Sequence, residues 1–286
     1  MNKFAYFGTP YVARDTLAYL HEHGYTPSAI VTSPDAAKGR GLVLTPSETK
    51  EWALEHDIPV LTPEKLDEIF LSELQNYGCE YGIAVAYGKI IPQSFIDSFP
   101  KGILNVHYSL LPLYRGASPV EAALWNGDTV TGVSIQKMVF ELDAGDVLSQ
   151  EEIAIDPTDT TLTLRPKLIT LGSELLVRTL PGFLDGSIVG IAQDTARATR
   201  APKIRKDQGH LDLSVDATTN WNTYRALRES PGTYFFAQKG DITIRVKIMD
   251  ATLANEVFSV LKIIPEGKGE QPFSYLAQAG WTPVAG

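Results

Sequence analysis

In the first half of the chain, short continuous apolar runs alternate with segments in which apolar residues recur at helical spacing. The apolar runs predict strands that are buried on both faces. These strands cover residues 4–7, 28–32, 59–61, 81–86 and 103–107. The helical segments cover residues 12–23, 47–56 and the stretch that ends at residue 75, with Ser47 as an N-cap. Strands separated by helices predict right-handed crossovers and a mostly parallel α/β sheet.

The pattern changes in the second half. A helix is predicted at 117–126, strands at 131–139 and 146–155, and a long helix at 160–180. Residues from about 190 to 206 carry no regular pattern and are interpreted as a linker. The last 80 residues combine a short helix at 218–228 with strand patterns at 232–238, 242–248 and 258–264. This end of the chain therefore predicts a small β-rich domain.

The composition narrows the class of protein. The chain has 286 residues, 44% of them hydrophobic and 21% charged, which is typical of a globular protein of one large or two ordinary domains. A single cysteine, Cys79, excludes an intramolecular disulfide and fits a reducing compartment. Five scattered histidines form no metal-ligand pattern, so we expect no metal. Because the sequence shows neither a signal-peptide pattern nor a long apolar run, we expect a cytoplasmic protein that makes no membrane contact.

The charge is unevenly distributed. The net charge is -9, but residues 197–286 contain 12 Lys and Arg against 9 Asp and Glu. The stretch from Arg197 to Lys206 holds five positive residues and no acidic one. Local cations of this kind are needed for contacts with a nucleic-acid backbone, although a solvated linker has the same composition.

Three polar residues are the candidates for chemistry. Asn105 and His107 lie two positions apart at the end of a predicted strand, so their side chains point to the same side. Asp143, in the predicted turn Glu141–Gly145, lies far enough along the chain to return to them. Asn can donate to a carbonyl oxygen, His can donate or relay a proton, and Asp can orient that His. None of the three is a strong nucleophile, so the set suits direct transfer of an acyl group to an amine.

Several motifs in order carry a family resemblance. They begin with Phe7-Gly-Thr-Pro10 and continue with Val31 to Asp35, Gly39-Arg-Gly41 and Val85 to Gly88. The longest is the run from Asn105 to Leu148. This chain resembles the formyltransferases that use 10-formyltetrahydrofolate. The resemblance implies a Rossmann-like formyltransferase domain over residues 1–190, a basic linker over 191–206 and a shortened OB-like domain over 207–286 that contacts tRNA.

The resemblance also implies functions for particular residues. Asn105, His107 and Asp143 would be catalytic, in transfer of a formyl group to the α-amine of an aminoacylated initiator tRNA by a monomer without an obligate protein partner. The folate would be held by the residues Ser109, Leu110, Leu111, Pro112, Ala86, Tyr87 and Gly88. The tRNA would be held by Arg40, Lys203, Arg205 and Lys206. The apolar Leu42–Leu44 replaces a basic residue of the family, which lowers the expected number of phosphate contacts.

Three other functions share parts of this pattern. A sugar-nucleotide N-formyltransferase would share the three polar residues and the folate but would lack the Gly39-Arg-Gly41 loop. A formyltetrahydrofolate hydrolase would use the same residues with water as the acceptor. A non-catalytic folate-binding protein would not need all three polar residues.

Overall fold

A computed structural model of the chain describes residues 2–38 and 41–284. They form two compact units. The first contains residues 1–116, 132–153 and 167–200, and the second contains residues 117–131, 154–166 and 201–286. The boundaries predicted from the sequence, at residues 190 and 206, divide the chain by expected function. The two units divide it by compactness and do not test those boundaries, which stay a prediction.

The helices and strands follow in chain order. They are β1 (Phe4–Gly8), α1 (Tyr11–Glu22), β2 (Ala29–Val31), β3 (Ala36–Lys38), β4 (Val43–Thr45), α2 (Glu48–Glu55), β5 (Val60–Leu61), α3 (Glu68–Gln75), β6 (Tyr81–Val85), α4 (Gln93–Ser98), β7 (Ile103–His107), α5 (Pro119–Asn126), β8 (Val130–Lys137), β9 (Val147–Ala154), α6 (Thr161–Asp185), α7 (Ala217–Leu227), β10 (Thr233–Lys239), β11 (Ile242–Ala254), β12 (Val257–Pro265), β13 (Gln271–Pro272), α8 (Tyr275–Gln278) and β14 (Thr282–Val284).

The first unit is built on a seven-stranded sheet of order β5-β2-β1-β6-β7-β8-β9. The first five strands pair in parallel, and β8 pairs with β7 in the antiparallel direction. β1 and β6 are buried along their whole length, because helices cover both faces of a parallel sheet. The α/β fold with a mostly parallel sheet, predicted from the alternating apolar runs, is confirmed.

Local signals account for the ends of the helices. The Ser47 hydroxyl accepts a hydrogen bond of 3.1 Å from the backbone N–H of Lys50, as an N-cap does. Asp67 accepts from Phe70 in the same way at the start of α3. Gly127 ends α5 in the left-handed conformation, with a φ of 75° that glycine adopts without strain.

The second unit contains a five-stranded antiparallel sheet of order β13-β12-β11-β10-β14. Its apolar core joins Trp221 and Tyr224 of α7 to Phe235, Val246 and Ile263 of the sheet. The three predicted strands are present as β10, β11 and β12. The remaining two strands, β13 and β14, have only two and three residues and were not predicted. The β3–β4 hairpin, α4 and α8 were not predicted.

Candidate active site

Two loops at the carboxyl ends of β1 and β6 lie together. Gly8 ends β1, and a Cβ there would lie 2.5 Å from the Cβ of Ala13, so only glycine fits. The hydroxyl of Thr9 donates to the carbonyl oxygen of Tyr87 at 3.1 Å and lies 3.2 Å from the hydroxyl of Ser33. The loops after β1, β2 and β6 are therefore tied to one another, at the edge where ligands bind in open α/β sheets.

Polar side chains line one face of the sheet where β7 and β8 pair. Asn105 is the partner of Gln136, and His107 is the partner of Ser134, so all four side chains point to the same face. His107, Ser134 and Gln136 are at most 5% exposed. Buried polar groups of this kind need hydrogen-bond partners, and the next segments of the chain supply them.

Asp143 reaches this face from the turn that follows β8. The residue is held in the left-handed conformation with a φ of 51°. A Cβ on Gly145 would lie 1.8 Å from the carbonyl oxygen of Lys137, so the turn closes only with glycine at that position. Tyr114 and Ala86 also have positive φ values, of 59° and 46°. Backbone strain at non-glycine residues often gathers at functional sites, and here it lies at three segments of the predicted site.

The Asp143 carboxylate is almost saturated with donors. Oδ1 accepts from Gln136 Nε2 at 2.9 Å and from Asn105 Nδ2 at 3.4 Å, and Oδ2 accepts from the backbone N–H of Gly116 at 2.8 Å. Its side chain is only 10% exposed. These donors keep the carboxylate in one orientation.

His107 is held by a different group from the one expected. Its Nε2 lies 2.9 Å from the carbonyl oxygen of Tyr114, whereas its Nδ1 lies 3.6 Å from Oδ1 of Asp143. A carbonyl oxygen only accepts, so Nε2 carries the proton and Nδ1 faces the carboxylate. The structure thus brings Asn105, His107 and Asp143 together, while the Tyr114 carbonyl orients the imidazole ring.

The loop of residues 109–112 is anchored from beneath. Ser134 Oγ donates to the carbonyl oxygen of Ser109 at 2.6 Å and accepts from the N–H of Leu111 at 3.0 Å. Gln150 Nε2 donates to the carbonyl oxygen of Leu111 at 2.7 Å. Leu111 and Ser109 are buried, and the Ser109 hydroxyl donates to the Leu113 carbonyl. Only Leu110 and Pro112 leave part of their side chains to solvent.

The predicted folate residues after β6 also include both exposed and buried members. Ala86 and Gly88 are exposed, whereas Tyr87 is buried against Phe7. Burial raises the pKa of the Tyr87 hydroxyl to about 12, so that hydroxyl stays protonated at neutral pH. Ala86 and Gly88 are therefore accessible to a ligand, whereas the side chain of Tyr87 belongs to the core.

An apolar surface accompanies the Asp143 turn. Val139, Phe140 and Leu142 are 44%, 61% and 57% exposed.

Among residues 2–38 and 41–284, no group of three His, Cys, Asp or Glu side chains could hold a metal ion. No helix of these described residues is long and apolar enough to cross a membrane.

Three of the four predicted tRNA residues belong to the second unit. Lys203, Arg205 and Lys206 are exposed, and Arg205 is paired with Asp207 at 3.2 Å. Arg40 lies outside the residues that the structure describes. The roles of the site residues as catalytic, folate-binding or tRNA-binding groups stay predictions.

The sequence interpretation missed the residues that hold the candidate site in place by hydrogen bonds. They are Arg115, Ser134, Gln136, Gln150 and Gln193 together with the Tyr114 carbonyl. One signal was available, because Ser134 and Gln136 alternate with the apolar Val133 and Ile135 within a strand. Polar residues at every second position of a buried strand indicate a polar cluster on one face. The other members have no such signal.

Comparison with known proteins shows the family of the chain. The chain belongs to the formyl transferase family, whose profile matches residues 2–180. Within that family it belongs with the methionyl-tRNA formyltransferases. It is 42% identical to that of Lactobacillus johnsonii over 82% of this chain and 75% of the relative. It is 38% identical to that of Koribacter versatilis over 93% of this chain and 91% of the relative.

Solved structures show the same fold. The methionyl-tRNA formyltransferase from Clostridium thermocellum superimposes with a TM-score of 0.60 and 16% identity, over all of both chains. WlaRD, a sugar 3N-formyl transferase solved in the presence of dTDP and 5-N-formyl-THF, superimposes with a TM-score of 0.67 and 19% identity, over 100% of this chain and 97% of that one. The protein is therefore an enzyme that transfers formyl groups, in a family whose formyl donor is a formyl-tetrahydrofolate.

Proposed function

We propose that this enzyme transfers the formyl group of 10-formyltetrahydrofolate to the α-amino group of methionyl-initiator tRNA. The observation that carries the proposal is the meeting of Asn105, His107 and Asp143 in one largely buried site. A carboxamide, an imidazole and a carboxylate suit a reaction in which an amine attacks a carbonyl carbon directly. Membership with the methionyl-tRNA formyltransferases supports the choice of acceptor.

Each of the three side chains has a separate role in the transfer of the formyl group. The amine lone pair forms a bond to the formyl carbon, and the carbonyl π electrons move onto oxygen as an oxyanion. Asn105 Nδ2 and the Nδ1–H of protonated His107 donate hydrogen bonds to that oxyanion, while the Nε2–H stays on the Tyr114 carbonyl. The bond between the formyl carbon and the folate N10 then breaks. The oxyanion electrons re-form the carbonyl bond as N10 leaves. Asp143 receives the proton that the amine loses, directly or through water, and that proton is passed on to N10.

The folate fits the surface beside these groups. Its ring systems have flat faces that pack on apolar side chains, and the exposed side chains of Val139, Phe140 and Leu142 lie on the segment that carries Asp143. Leu110 and Pro112 add further apolar surface from the anchored loop. The exposed backbone at Ala86 and Gly88 supplies polar groups for the pterin edge.

Acceptor binding is supported by charges in the second unit. Lys203, Arg205 and Lys206 are exposed cations that could meet phosphates. In the antiparallel sheet, Arg245 and Lys247 are exposed, and the Arg245 guanidinium lies 3.6 Å over the ring of the buried Tyr234, which is the cross-strand partner of Lys247. These two cations add to the positive charge that phosphates could meet. A monomeric state and a cytoplasmic location stay predictions.

The deciding experiment presents one donor to several acceptors. The full chain is incubated with 10-formyltetrahydrofolate and, in separate reactions, methionyl-initiator tRNA, methionyl-elongator tRNA, a dTDP-amino sugar or no acceptor. We expect formyl-methionyl product with the initiator tRNA. Product only with the amino sugar would replace the proposal by sugar N-formylation, and donor consumption without an acceptor would indicate a hydrolase. No turnover in any reaction would indicate a binding protein.

A further inference from the structure

We propose that Gln193 is a positioning residue that fixes the Asp143 carboxylate for transfer. The inference rests on the proposed function, in which Asp143 acts on the amine. Gln193 lies in the segment that the sequence analysis interpreted as the start of a linker, and nothing in its sequence context indicates a part in the site.

The carboxamide of Gln193 makes every hydrogen bond that such a group can make. Nε2 donates to the carbonyl oxygens of Asp143 and Gly145, at 2.8 and 2.7 Å. Oε1 accepts from Nε and Nη2 of Arg115, at 3.0 and 2.8 Å. A carboxamide has two N–H donors and two acceptor positions, so this arrangement leaves none unused.

These bonds hold the turn at its two critical points. Asp143 is in the left-handed conformation, which residues other than glycine rarely adopt. The Gln193 amide binds the carbonyl of that residue and the carbonyl two positions later. The turn is therefore held in the shape that directs the Asp143 side chain toward Asn105 and His107.

Arg115 holds the other end of the Gln193 carboxamide. Arg115 is 4% exposed, and its guanidinium binds Gln193. The N–H of the next residue, Gly116, donates to Asp143 Oδ2 at 2.8 Å. The backbone N–H of Arg115 donates to the carbonyl of Thr199 at 2.9 Å. Arg115 thus holds the turn indirectly, through Gln193, and Gly116 holds the Asp143 carboxylate directly.

Only glutamine meets both sides of this contact. Glutamate would still accept from Arg115, but its second oxygen would face the carbonyl oxygens of Asp143 and Gly145 with no proton to donate. Asparagine is one methylene too short to span the same gap. The Gln193→Glu substitution therefore keeps the anchor to Arg115 and replaces the two contacts to the turn by repulsion between oxygens.

The test compares the full-length wild type with Gln193→Glu, with Thr195→Ala as an exposed control in the same segment. We expect kcat for formyl transfer to fall roughly 10- to 100-fold, the scale for a small displacement of a catalytic group. KM for the formyl donor should stay near wild type, and the melting temperature should fall by no more than a few degrees, because two carbonyl oxygens lose their donor. Thr195→Ala should behave as wild type. A Gln193→Glu enzyme with wild-type kcat would overturn the proposal.

A double-mutant cycle distinguishes positioning from a general structural role. If Gln193 acts through Asp143, Gln193→Glu should slow the Asp143→Asn enzyme by no more than about twofold, since the group that it positions is already disabled. A full additional 10- to 100-fold loss would overturn the proposal. Should Gln193→Glu fail to fold, Gln193→Met, which has a similar length and no hydrogen-bonding amide, replaces it in both measurements.

Crystal structures of the variant and the wild type give a readout that does not depend on turnover. We expect the Asp143 carboxylate of the variant to leave the Gly116 N–H. A carboxylate that stays in place would overturn positioning even if the variant were slow. Absence of wild-type turnover with every acceptor would instead overturn the proposed function, and the structures would still decide whether Gln193 holds Asp143.

Discussion

The Nε2 atom of His107 lies 2.9 Å from the carbonyl oxygen of Tyr114, in a residue whose φ is 59°. This contact assigns the proton to Nε2 and turns Nδ1 toward the carboxylate of Asp143. The imidazole is thus oriented by the backbone of the loop after β7. The carboxylate lies 3.6 Å from Nδ1, beyond the length of a hydrogen bond that would orient the ring.

Replacing His107 by alanine should reduce formyl transfer by about 10²–10³-fold, because the reaction loses an oxyanion donor. The measurement is kcat/KM with methionyl-initiator tRNA, and circular dichroism checks the fold. His23→Ala is the matched control, since His23 is exposed. Wild-type turnover in a folded His107→Ala enzyme would contradict the assigned mechanism.

Asp143→Asn should slow transfer by about 10²–10⁴-fold while changing the affinity for the folate far less. The substitution keeps the size of the side chain but places an NH₂ group against donors, the Gly116 N–H or Gln136 Nε2. Single-turnover rates and folate binding by fluorescence measure the two effects. The exposed Asp146 supplies the control Asp146→Asn, which we expect to leave the rate unchanged. Equal losses of rate and folate affinity would argue for a general collapse of the site.

Lys203→Ala combined with Lys206→Ala should weaken tRNA binding and flatten its dependence on salt. Each lost phosphate contact removes roughly one unit from the slope of log K against log salt concentration. Filter binding of labelled tRNA across a salt series measures the slope. The control is Lys65→Ala, an exposed lysine of the first unit. Identical slopes in the double variant and the control would assign the two lysines to a solvated surface.

Arg165→Met should destabilise the second unit by about 3 kcal/mol. Arg165 binds Glu121 and Glu229 at 2.7 Å each, with side chains between 13% and 26% exposed. Its loss leaves two carboxylates largely out of water without a counter-charge. Urea unfolding measures the change. Arg178→Met is the comparison, because Arg178 pairs with Glu151 at a far more exposed site and should cost less than about 1 kcal/mol. Similar small losses in both variants would mean that burial does not strengthen the Arg165 contacts.

Cys79 should react slowly with thiol reagents in the folded protein. Burial raises the pKa of its thiol to about 11, and only the thiolate is reactive. At pH 8 the reaction with a disulfide reagent should be about two orders of magnitude slower than in the urea-unfolded chain, and the folded rate should keep rising tenfold per pH unit up to about pH 10. A folded rate that levels off near pH 8.5 would show that the thiol is not affected by burial.

The fold of the first unit follows from local patterns. Continuous apolar runs predicted β1, β2, β6 and β7 to within two residues at each end, because a strand buried on both faces has no polar position. Ser47 was recognisable as an N-cap because capping acts over three residues. The β3–β4 hairpin was missed, since its exposed apolar residues, Val43 and Leu44, carry no alternation.

The sequence by itself determined which residue types are available: the Asn105–His107 spacing, the glycine turn around Asp143, and the family through the order of its motifs. Tertiary structure alone decided their partners. Tyr114 orients His107 with a backbone carbonyl, which any residue type possesses. Gln193 reaches the Asp143 turn from 50 positions away. Contacts between distant segments depend on how the sheet and its loops pack, and neither hydrophobic periodicity nor turn propensity encodes that packing.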